Sequence, residues 1–258
     1  MIGYVASAGE EALFRSAHTR GTPVLLLGPP GCGKTLLVEQ MAAALDRPLV
    51  TVTCHDDLTT ADLVGRHLIT GGDVRWEDGP LTVAMRTGAV CYLDEVVEAR
   101  PDTLAMLHSV ADHRRTLFID RLGESVTAPP EFMLVASHNP RRPGSPKELK
   151  PALRQRFATI RLSYLDAAAE AEVIAASTGV DAALAARLAG AGALLRDTAA
   201  RDPQSRFDPP STRALIAAAG LVAAGTPVDD AIEACIVGPL TGDDATAAAL
   251  RELLAAAG

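Results

Sequence analysis

Residues Val24–Thr35 read VLLLGPPGCGKT, and Leu36–Met41 continue as LLVEQM. The four apolar residues predict a buried parallel β-strand, the glycine-rich segment a turn, and the residues after it an α-helix. In this context the spacing from Gly28 to Thr35 is typical of a phosphate-binding loop. The alternative is an ordinary glycine turn, which we set aside because every fixed position of the motif is filled.

The residue types in this loop suit a nucleoside triphosphate and its magnesium ion. Glycines let backbone N–H groups converge on phosphate oxygens, because no side chain blocks the approach. The helix that starts near Gly33 adds its positive dipole end. Lys34 can reach the β- and γ-phosphates, and the Thr35 hydroxyl can ligate Mg²⁺. The residues expected to contact the nucleotide are Gly28, Pro29, Pro30, Gly31, Cys32, Gly33, Lys34, Thr35 and Leu36.

Composition limits the class of protein. The chain has 258 residues and 48% hydrophobic content, enough for a main domain with a smaller one. Its net charge of −8 argues against a nucleic-acid partner, which would favour a basic surface. The four cysteines show neither CxxC pairing nor metal-ligand spacing, which suits a reducing cytosol. We found no signal-peptide pattern and no apolar run of membrane-spanning length, so we expect a cytoplasmic protein without membrane insertion.

Strand-like and helix-like patterns alternate through the first part of the chain. Besides Val24–Leu27, the predicted strands are Leu49–Thr53, Ala89–Leu93, Phe132–Ser137 and Ala158–Leu162. Helical patterns cover Gly9–His18, the segment after the phosphate loop, Pro101–Asp112 and Pro151–Phe157. Such alternation predicts an α/β fold, a three-layer arrangement with a parallel sheet covered on both faces.

Turn signals predict two β-hairpins and a loop within this part. One hairpin turns at Thr70–Asp73 and interrupts a helix, the other turns around Gly123, and Pro140–Pro146 is a loop. Beyond Tyr164, strand signals disappear and alanine-rich helical patterns continue to the end. We therefore predict an α/β core over residues 1–163 and a small helical lid over residues 164–258, with Thr198–Pro210 as the loosest region of the lid.

Polar residues follow the ends of two further predicted strands. Asp94 and Glu95 come directly after Ala89–Leu93, and Asn139 lies just past Phe132–Ser137. In parallel sheets, ligands bind beyond the carboxyl ends of the strands. We therefore expect these side chains to meet at the phosphate loop.

The carboxylate pair has two interpretations. Asp94 can position Mg²⁺ directly or through water, and Glu95 can polarise the attacking water as general base. Alternatively, the pair caps the next helix. Asn139 can hydrogen-bond the γ-phosphate or the attacking water, the alternative being an Asn-Pro turn. We favour the catalytic roles because phosphoryl transfer needs the loop and the carboxylates together.

A short polar segment precedes the first hairpin. Thr59 and Asp62 have the spacing of a capping box at a helix start, with Asp in place of Glu. His55, Asp56 and Asp57 could form a metal site, but a loop at a strand end explains them as well, and their spacing is not that of metal ligands.

Three arginines are candidates for contacting the charge that develops during phosphoryl transfer. Arg154 and Arg156 lie near the end of the predicted helix Pro151–Phe157 and could act from a neighbouring subunit. Their alternative is a solvated surface. Arg213 follows Ser211 and Thr212, where a lid helix begins, and could reach the nucleotide from the second domain.

These motifs together resemble the AAA+ ATPases, more closely the MoxR group, and within it the branch named for CbbQ, NirQ, NorQ and GvpN. The resemblance covers nearly the whole chain. Besides the phosphate loop, the stretches that carry it are Cys54–Leu58, Asp62–Arg66, Asp78–Thr82, Cys91–Arg100, Leu149–Pro151, Arg154–Phe157 and Ser211–Arg213.

The resemblance implies a role for each candidate residue. Lys34 and Thr35 would be Walker A residues, and Asp94 and Glu95 Walker B residues. Asn139 would be sensor 1. The remaining implied roles fall on three arginines: sensor 2 on Arg213, and the arginine finger acting across a subunit interface on Arg156, with Arg154 as second choice.

The resemblance also implies cofactors and partners. ATP and Mg²⁺ would be the cofactors, and the assembly would be a homo-hexameric ring. Relatives work with a partner that carries a von Willebrand factor A domain and activate or mature a target enzyme, chaperone-like. The known target classes are Rubisco, nitric oxide reductase and other metalloenzymes. Two segments, His138 and Arg141–Gly144, depart from the family pattern.

Three functional interpretations follow. The first is an ATP-hydrolysing remodelling motor that assembles as a ring. The second is a nucleotide-dependent binding switch with little turnover. The third is a DNA-acting AAA+ protein, against which the acidic charge and the lack of a recognisable DNA-binding appendage weigh.

Overall fold

Five parallel strands form the central sheet in the computed structural model of the chain, which describes residues 3–6, 8–139, 148–201 and 207–257. The strands, in chain order, are β1 (Val24–Leu27), β2 (Leu49–Thr53), β3 (Gly65–Thr70), β4 (Asp73–Asp78), β5 (Val90–Asp94), β6 (Thr116–Ile119), β7 (Glu124–Thr127), β8 (Met133–His138) and β9 (Ala158–Arg161). The sheet order is β2-β5-β8-β1-β9, and β3–β4 and β6–β7 form separate two-stranded hairpins. The predicted parallel α/β sheet is confirmed.

Helices precede, connect and follow these strands. They are α1 (Glu10–Thr19), α2 (Lys34–Ala44), α3 (Thr60–Val64), α4 (Pro80–Thr87), α5 (Pro101–Val110), α6 (Pro151–Arg154), α7 (Ala167–Thr178), α8 (Ala182–Arg201), α9 (Thr212–Ala223), α10 (Val228–Ile232), α11 (Gly238–Leu240) and α12 (Asp244–Ala257). Within the described residues, no helix combines the length and the apolar character needed to cross a membrane.

Side-chain composition explains the position of each strand in the sheet. The central strands β5 and β8 are apolar almost throughout, and Val90, Cys91, Tyr92 and Leu93 are fully buried. Threonines interrupt β2 and β9, which lie at the two edges and are only partly buried. Parallel strands covered by helices require near-continuous apolar runs, whereas edge strands tolerate polar residues.

The chain forms two compact units. One consists of Gly3–Gly28 and Gly33–Leu162. The other contains Ser163–Gly258 together with the loop tip Pro29–Cys32. Small side chains fill much of the core of this helical unit, including Ala185, Ala189, Ala218 and Ala219.

The two predicted hairpins are present. β3–β4 stands between α3 and α4, and β6–β7 follows α5. At the base of β3–β4, the Gly79 N–H donates to Val64 O at 2.9 Å. A Cβ atom on Gly79 would lie 2.4 Å from Leu63 O and 2.8 Å from Gly65 N, so only glycine fits there. Farther out, the cross-strand pair Ile69 and Val74 is 78% and 64% exposed.

The local prediction before this hairpin is also confirmed. The Thr59 side chain accepts a hydrogen bond from the Asp62 N–H, and the Asp62 carboxylate accepts from the Thr59 N–H, forming a capping box at α3. Within the described residues, no group of three or more His, Cys, Asp and Glu side chains is arranged to hold a metal ion.

Several predicted helix boundaries differ from the observed ones. α5 ends at Val110, and α6 covers only Pro151–Arg154. The prediction that Thr198–Pro210 is the loosest region was wrong for Thr198–Arg201, which belong to α8. Alanines favour continuation of this helix, and the Thr198 hydroxyl bonds the Leu194 carbonyl within it. The rest of that predicted region, residues 202–210, lies partly outside the described residues. The predicted loop Pro140–Pro146 lies wholly outside them.

Candidate functional site

The phosphate-binding loop joins β1 to α2. Gly33 precedes α2 at φ 95° and supplies no side-chain cap, so the first N–H groups of this helix face no capping side chain. Gly31 also has a left-handed backbone, at φ 68°. A Cβ atom on Gly33 would lie 3.1 Å from the Tyr4 ring. An uncapped helix start after glycines in this conformation is an anion-binding arrangement.

The side chain of Lys34 is buried, with 8% exposure. Its ammonium group donates to Gly28 O at 2.9 Å and to Asn139 Oδ1 at 2.5 Å. A buried charge must be hydrogen-bonded, and both of these acceptors are neutral. A phosphate oxygen would be a stronger acceptor for this ammonium group, because ionic hydrogen bonds are about twice as strong as neutral ones.

Asn139 connects the lysine to the carboxylate pair. Its Nδ2 donates to Glu95 Oε1 at 2.9 Å, while its Oδ1 accepts from Lys34. The two ends of one amide therefore bridge a cation and an anion. This bridge brings together residues that follow β1, β5 and β8, as the strand-end pattern predicts.

Asp94 is held by two hydroxyl groups. The Tyr92 hydroxyl donates to Asp94 Oδ1 at 2.8 Å, and the Ser137 hydroxyl donates to the same atom at 2.5 Å. The Ser137 oxygen in turn accepts from the Glu95 N–H at 3.0 Å. One fully buried serine thus fixes both acidic residues.

Tyr92 and Ser137 were not among the predicted site residues, although the sequence carries a signal for each. Tyr92 lies two positions before Asp94, so both side chains project from the same face of β5. Ser137 is a polar residue inside the otherwise apolar run of β8. A buried hydroxyl needs a hydrogen-bond partner, and the neighbouring strand provides it.

Glu95 has a left-handed backbone, with φ 53° and ψ 45°. Among the described residues, only Asp46 and Arg115 share a positive φ without being glycine. Such a conformation costs about 1–3 kcal/mol and persists only where its surroundings enforce it. Here the bond to Ser137 and the bond from the Glu98 N–H to Glu95 O, at 2.8 Å, enforce it.

The carboxylates make this region electronegative. Burial, followed by the negative charges of Asp94 and Glu95, raises the pKa of the Cys54 thiol to about 12. Burial also raises the pKa of Tyr92, although hydrogen bonds with Ser137 and Thr35 lower it. Both groups therefore stay protonated at neutral pH, so neither the Cys54 thiol nor the Tyr92 hydroxyl adds a negative charge to the site.

The donor set fits Mg²⁺. Thr35 and Asp94 offer a hydroxyl and carboxylate oxygens, the hard ligands that Mg²⁺ prefers. The Tyr92 hydroxyl donates to Asp94 Oδ1 and so helps to orient this carboxylate. Thr35 and Asp94 are accordingly the residues that would hold the ion.

The three candidate arginines make no described hydrogen bond to Lys34, Asn139, Asp94 or Glu95. Arg154 is exposed, and the Arg156 guanidinium donates to the Ala152 carbonyl in the preceding short helix α6. Arg213 is exposed in the first turn of α9, in the helical unit. Leu36, in the first turn of α2, is 39% exposed.

Comparison with known families gives matches over both parts of the chain. The family model of the AAA domain (dynein-related subfamily) matches residues 23–157, and the family model of the CbbQ/NirQ/NorQ C-terminal region matches residues 170–257.

Two relatives match nearly the whole chain, and a solved structure shares its fold. The denitrification regulatory protein NirQ of Stutzerimonas stutzeri is 49% identical over 97% of this chain and 90% of its own length. Protein NorQ of Paracoccus denitrificans is 47% identical over 98% of this chain and 93% of its own length. A RuvB mutant of Thermotoga maritima shares the fold, with a TM-score of 0.55, 19% identity, and coverage of 95% of this chain and 68% of that one.

We predict that Ser137→Ala destabilises the protein by about 1–3 kcal/mol, because it leaves the Glu95 N–H without its acceptor. Urea unfolding at neutral pH measures this loss. Ser109→Ala is the matched control, because its hydroxyl bonds the Met106 carbonyl within α5. We expect the control to stay within about 0.5 kcal/mol of wild type. Equal stability of the two variants would contradict the role of Ser137.

Proposed function

We propose that this chain, which belongs to the CbbQ/NirQ/NorQ family of AAA+ proteins, is an ATPase that couples ATP hydrolysis to the remodelling, activation or maturation of a target enzyme. The observation that carries this proposal is the bridge from Lys34 through Asn139 to Glu95 at the phosphate loop. It puts a phosphate-binding cation, a polar sensor and a candidate base in direct contact.

Nucleotide binding falls to the phosphate loop and the start of α2. The residues assigned to ATP are Gly28, Pro29, Pro30, Gly31, Cys32, Gly33, Lys34, Thr35, Leu36, Asp94 and Arg213. When bound, Mg²⁺ neutralises charge on the β- and γ-phosphate oxygens. Thr35 and Asp94 would hold this ion, and Tyr92 and Ser137 keep the Asp94 carboxylate oriented.

Glu95 acts as the general base. Its backbone is held by Ser137 and its carboxylate by Asn139, so the protein itself sets its orientation. Glu95 takes a proton from the attacking water, and a positioned base contributes about 10²–10⁴-fold to the rate. With ATP bound, Lys34 exchanges its neutral acceptors for phosphate oxygens. The Asn139 amide then turns from Glu95 to sense the γ-phosphate, which leaves the Glu95 carboxylate open to the attacking water.

Arginines complete the assignment. Arg156, with Arg154 as second choice, acts as the finger supplied by a neighbouring subunit, and Arg213 acts as sensor 2. The exposure of Arg154 and Arg213 is consistent with partners outside their own unit. We assign residues 1–163 to the nucleotide-binding core and residues 164–258 to the lid.

The assembly is a homo-hexameric ring in the cytoplasm, working with a partner that carries a von Willebrand factor A domain. Of the target classes Rubisco, nitric oxide reductase and other metalloenzymes, an enzyme of denitrification is favoured, because one relative is described as a denitrification regulatory protein. The exposed pair Ile69 and Val74 on the first hairpin offers an apolar surface for such contacts.

One observation favours a second candidate, a low-turnover nucleotide switch. The Glu95 carboxylate is engaged by the Asn139 amide at 2.9 Å. If that bond persists with ATP bound, the base is held away from water and the protein signals its nucleotide state without hydrolysis.

We expect Lys34→Ala to weaken ATP binding by at least about 100-fold, because the site loses its ion-paired phosphate contact. Glu95→Gln should bind ATP within about threefold of wild type and hydrolyse it at least about 100-fold more slowly. Titration with a fluorescent ATP analogue and steady-state phosphate release measure the two effects. Glu39→Gln, exposed on α2, is the control and should alter neither. Normal hydrolysis by Glu95→Gln would remove its role as base; wild-type protein that binds ATP without turnover would favour the switch.

The trans-acting arginine is tested by mixing two inactive variants. Arg156→Ala subunits retain Glu95, and Glu95→Gln subunits retain Arg156, so a mixed ring contains interfaces with both groups. We expect hydrolysis to recover in the mixture, and mass measurements with ATP to show a hexamer. The same mixture made with Arg154→Ala decides between the two arginines. A monomer at all protein concentrations would exclude an arginine finger from a neighbour.

Partner recognition is tested with Glu95→Gln held in ATP. We expect a protein with a von Willebrand factor A domain and the target enzyme to remain bound through washing and to dissociate in ADP. The Lys34→Ala variant is the control and should retain neither. Retention that ignores the nucleotide would contradict coupling between ATP and the target.

A further inference from the structure

The helical unit contains a fully buried carboxylate, that of Glu170 in α7. Its two oxygens accept from the fork of Arg196 at 2.7 and 2.8 Å. One of them also accepts from the Thr212 hydroxyl at 2.6 Å. The pair therefore joins α7, α8 and the first residue of α9.

Arg196 extends this network in two further directions. Its Nε donates to Pro210 O at 2.9 Å, in the segment leading into α9. Its guanidinium carbon lies 3.8 Å from the centre of the Tyr164 ring, a cation–π arrangement. The side chain is only 11% exposed, so these contacts are shielded from water.

Tyr164 carries the network to the loop tip Pro29–Cys32, which belongs to the same compact unit. Its hydroxyl donates to Pro30 O at 2.9 Å. Burial raises the pKa of this hydroxyl to about 12, so it remains a donor throughout the neutral range. The loop tip is close to the α9 cap as well, since a Cβ atom on Gly31 would lie 2.6 Å from Ser211 Cβ.

The main effect of this network is to orient its side chains rather than to stabilise the fold. A buried ion pair recovers little more than its own desolvation cost, and well-packed apolar residues often replace it without loss. The two parallel hydrogen bonds between the guanidinium and the carboxylate, however, fix the orientation of both Arg196 and Glu170. Arg196 is oriented by Glu170, the Tyr164 ring lies against Arg196, and Thr212 places the turn that carries Arg213.

We propose that Glu170, Arg196 and Tyr164 are positioning residues for nucleotide binding, holding the loop tip Pro29–Cys32 and the start of α9 in one arrangement before ATP arrives. This inference rests on the proposed ATP site. Neither Arg196 nor Glu170 needs to touch the nucleotide, because each acts through the backbone of the loop or through the turn that presents Arg213.

The direct test is Tyr164→Phe, which removes one hydroxyl and keeps the ring beside Arg196. We expect ATP and ADP to bind about fivefold to tenfold more weakly, the factor that one hydrogen bond is worth. The thermal midpoint should stay close to that of wild type. Glu233→Gln is the control. It disrupts the bidentate ion pair between Glu233 and Arg251, which lies in the same unit and is exposed to solvent. It should leave affinity unchanged.

A second readout needs no nucleotide. Cys32 lies in the loop tip and is half-buried, as is Cys235 elsewhere in the unit. We expect Tyr164→Phe to raise the labelling rate of the Cys32 thiol several-fold and to leave that of Cys235 unchanged. Equal rates in wild type and variant would show that the hydroxyl does not order the loop.

A double-mutant cycle with Arg213→Ala tests the link to α9. If the network couples loop and helix, the effects of Tyr164→Phe and Arg213→Ala on ATP affinity combine non-additively. Additive effects would overturn that link. Unchanged affinity and labelling in Tyr164→Phe, with ATP binding lost in Lys34→Ala, would overturn the positioning role alone. Normal ATP binding by Lys34→Ala would instead overturn the proposed function.

Discussion

A single buried ammonium group organises the site. Lys34 is held between a loop carbonyl and the amide of Asn139, and that amide holds Glu95. A cation placed this deep must be hydrogen-bonded on every side that water cannot reach. The strands β1, β5 and β8 are neighbours in the sheet with their carboxyl ends at one edge, and this arrangement supplies those partners. The order of the strands thus places the hydrogen-bond acceptors of Lys34 around its ammonium group.

The same constraint explains the unusual backbone at Glu95. A strand that simply continued past Asp94 would direct the next side chain to the opposite face. The left-handed conformation turns the chain instead, and Ser137 secures the turn by accepting the Glu95 N–H while donating to Asp94. Two acidic side chains that are adjacent in sequence are in this way given different environments. One contacts the hydroxyls of Ser137 and Tyr92, and the other contacts Asn139.

Patterns within one segment predicted much of this molecule. All five sheet strands were predicted, β1, β5 and β8 from apolar runs and β2 from its β-branched residues. The hairpins follow from glycine turns, and the capping box from Thr59 and Asp62. Asp94 and Asn139 could be assigned to one site because parallel strands end together. Ser137 stands out as a polar residue within β8, but its hydrogen-bond partners could not be predicted, since they depend on the register of β8 against β5. Glu170 and Arg196 are 26 positions apart in the chain, on the consecutive helices α7 and α8, and no local sequence period predicts their ion pair. Helix ends such as Arg201 depend on packing and were misplaced.

The base of the first hairpin, where β3 and β4 meet α3 and α4, is crowded. At Gly79 the backbones of Leu63 and Gly65 leave no room for even a methyl group. A side chain at position 79 would push these backbones apart, so close packing at this base joins the hairpin directly to the end of α3 and the start of α4. The exposed apolar pair Ile69 and Val74 lies farther out on the same two strands, next to the turn Thr70–Asp73, so the hairpin has a crowded base and an apolar pair near its end.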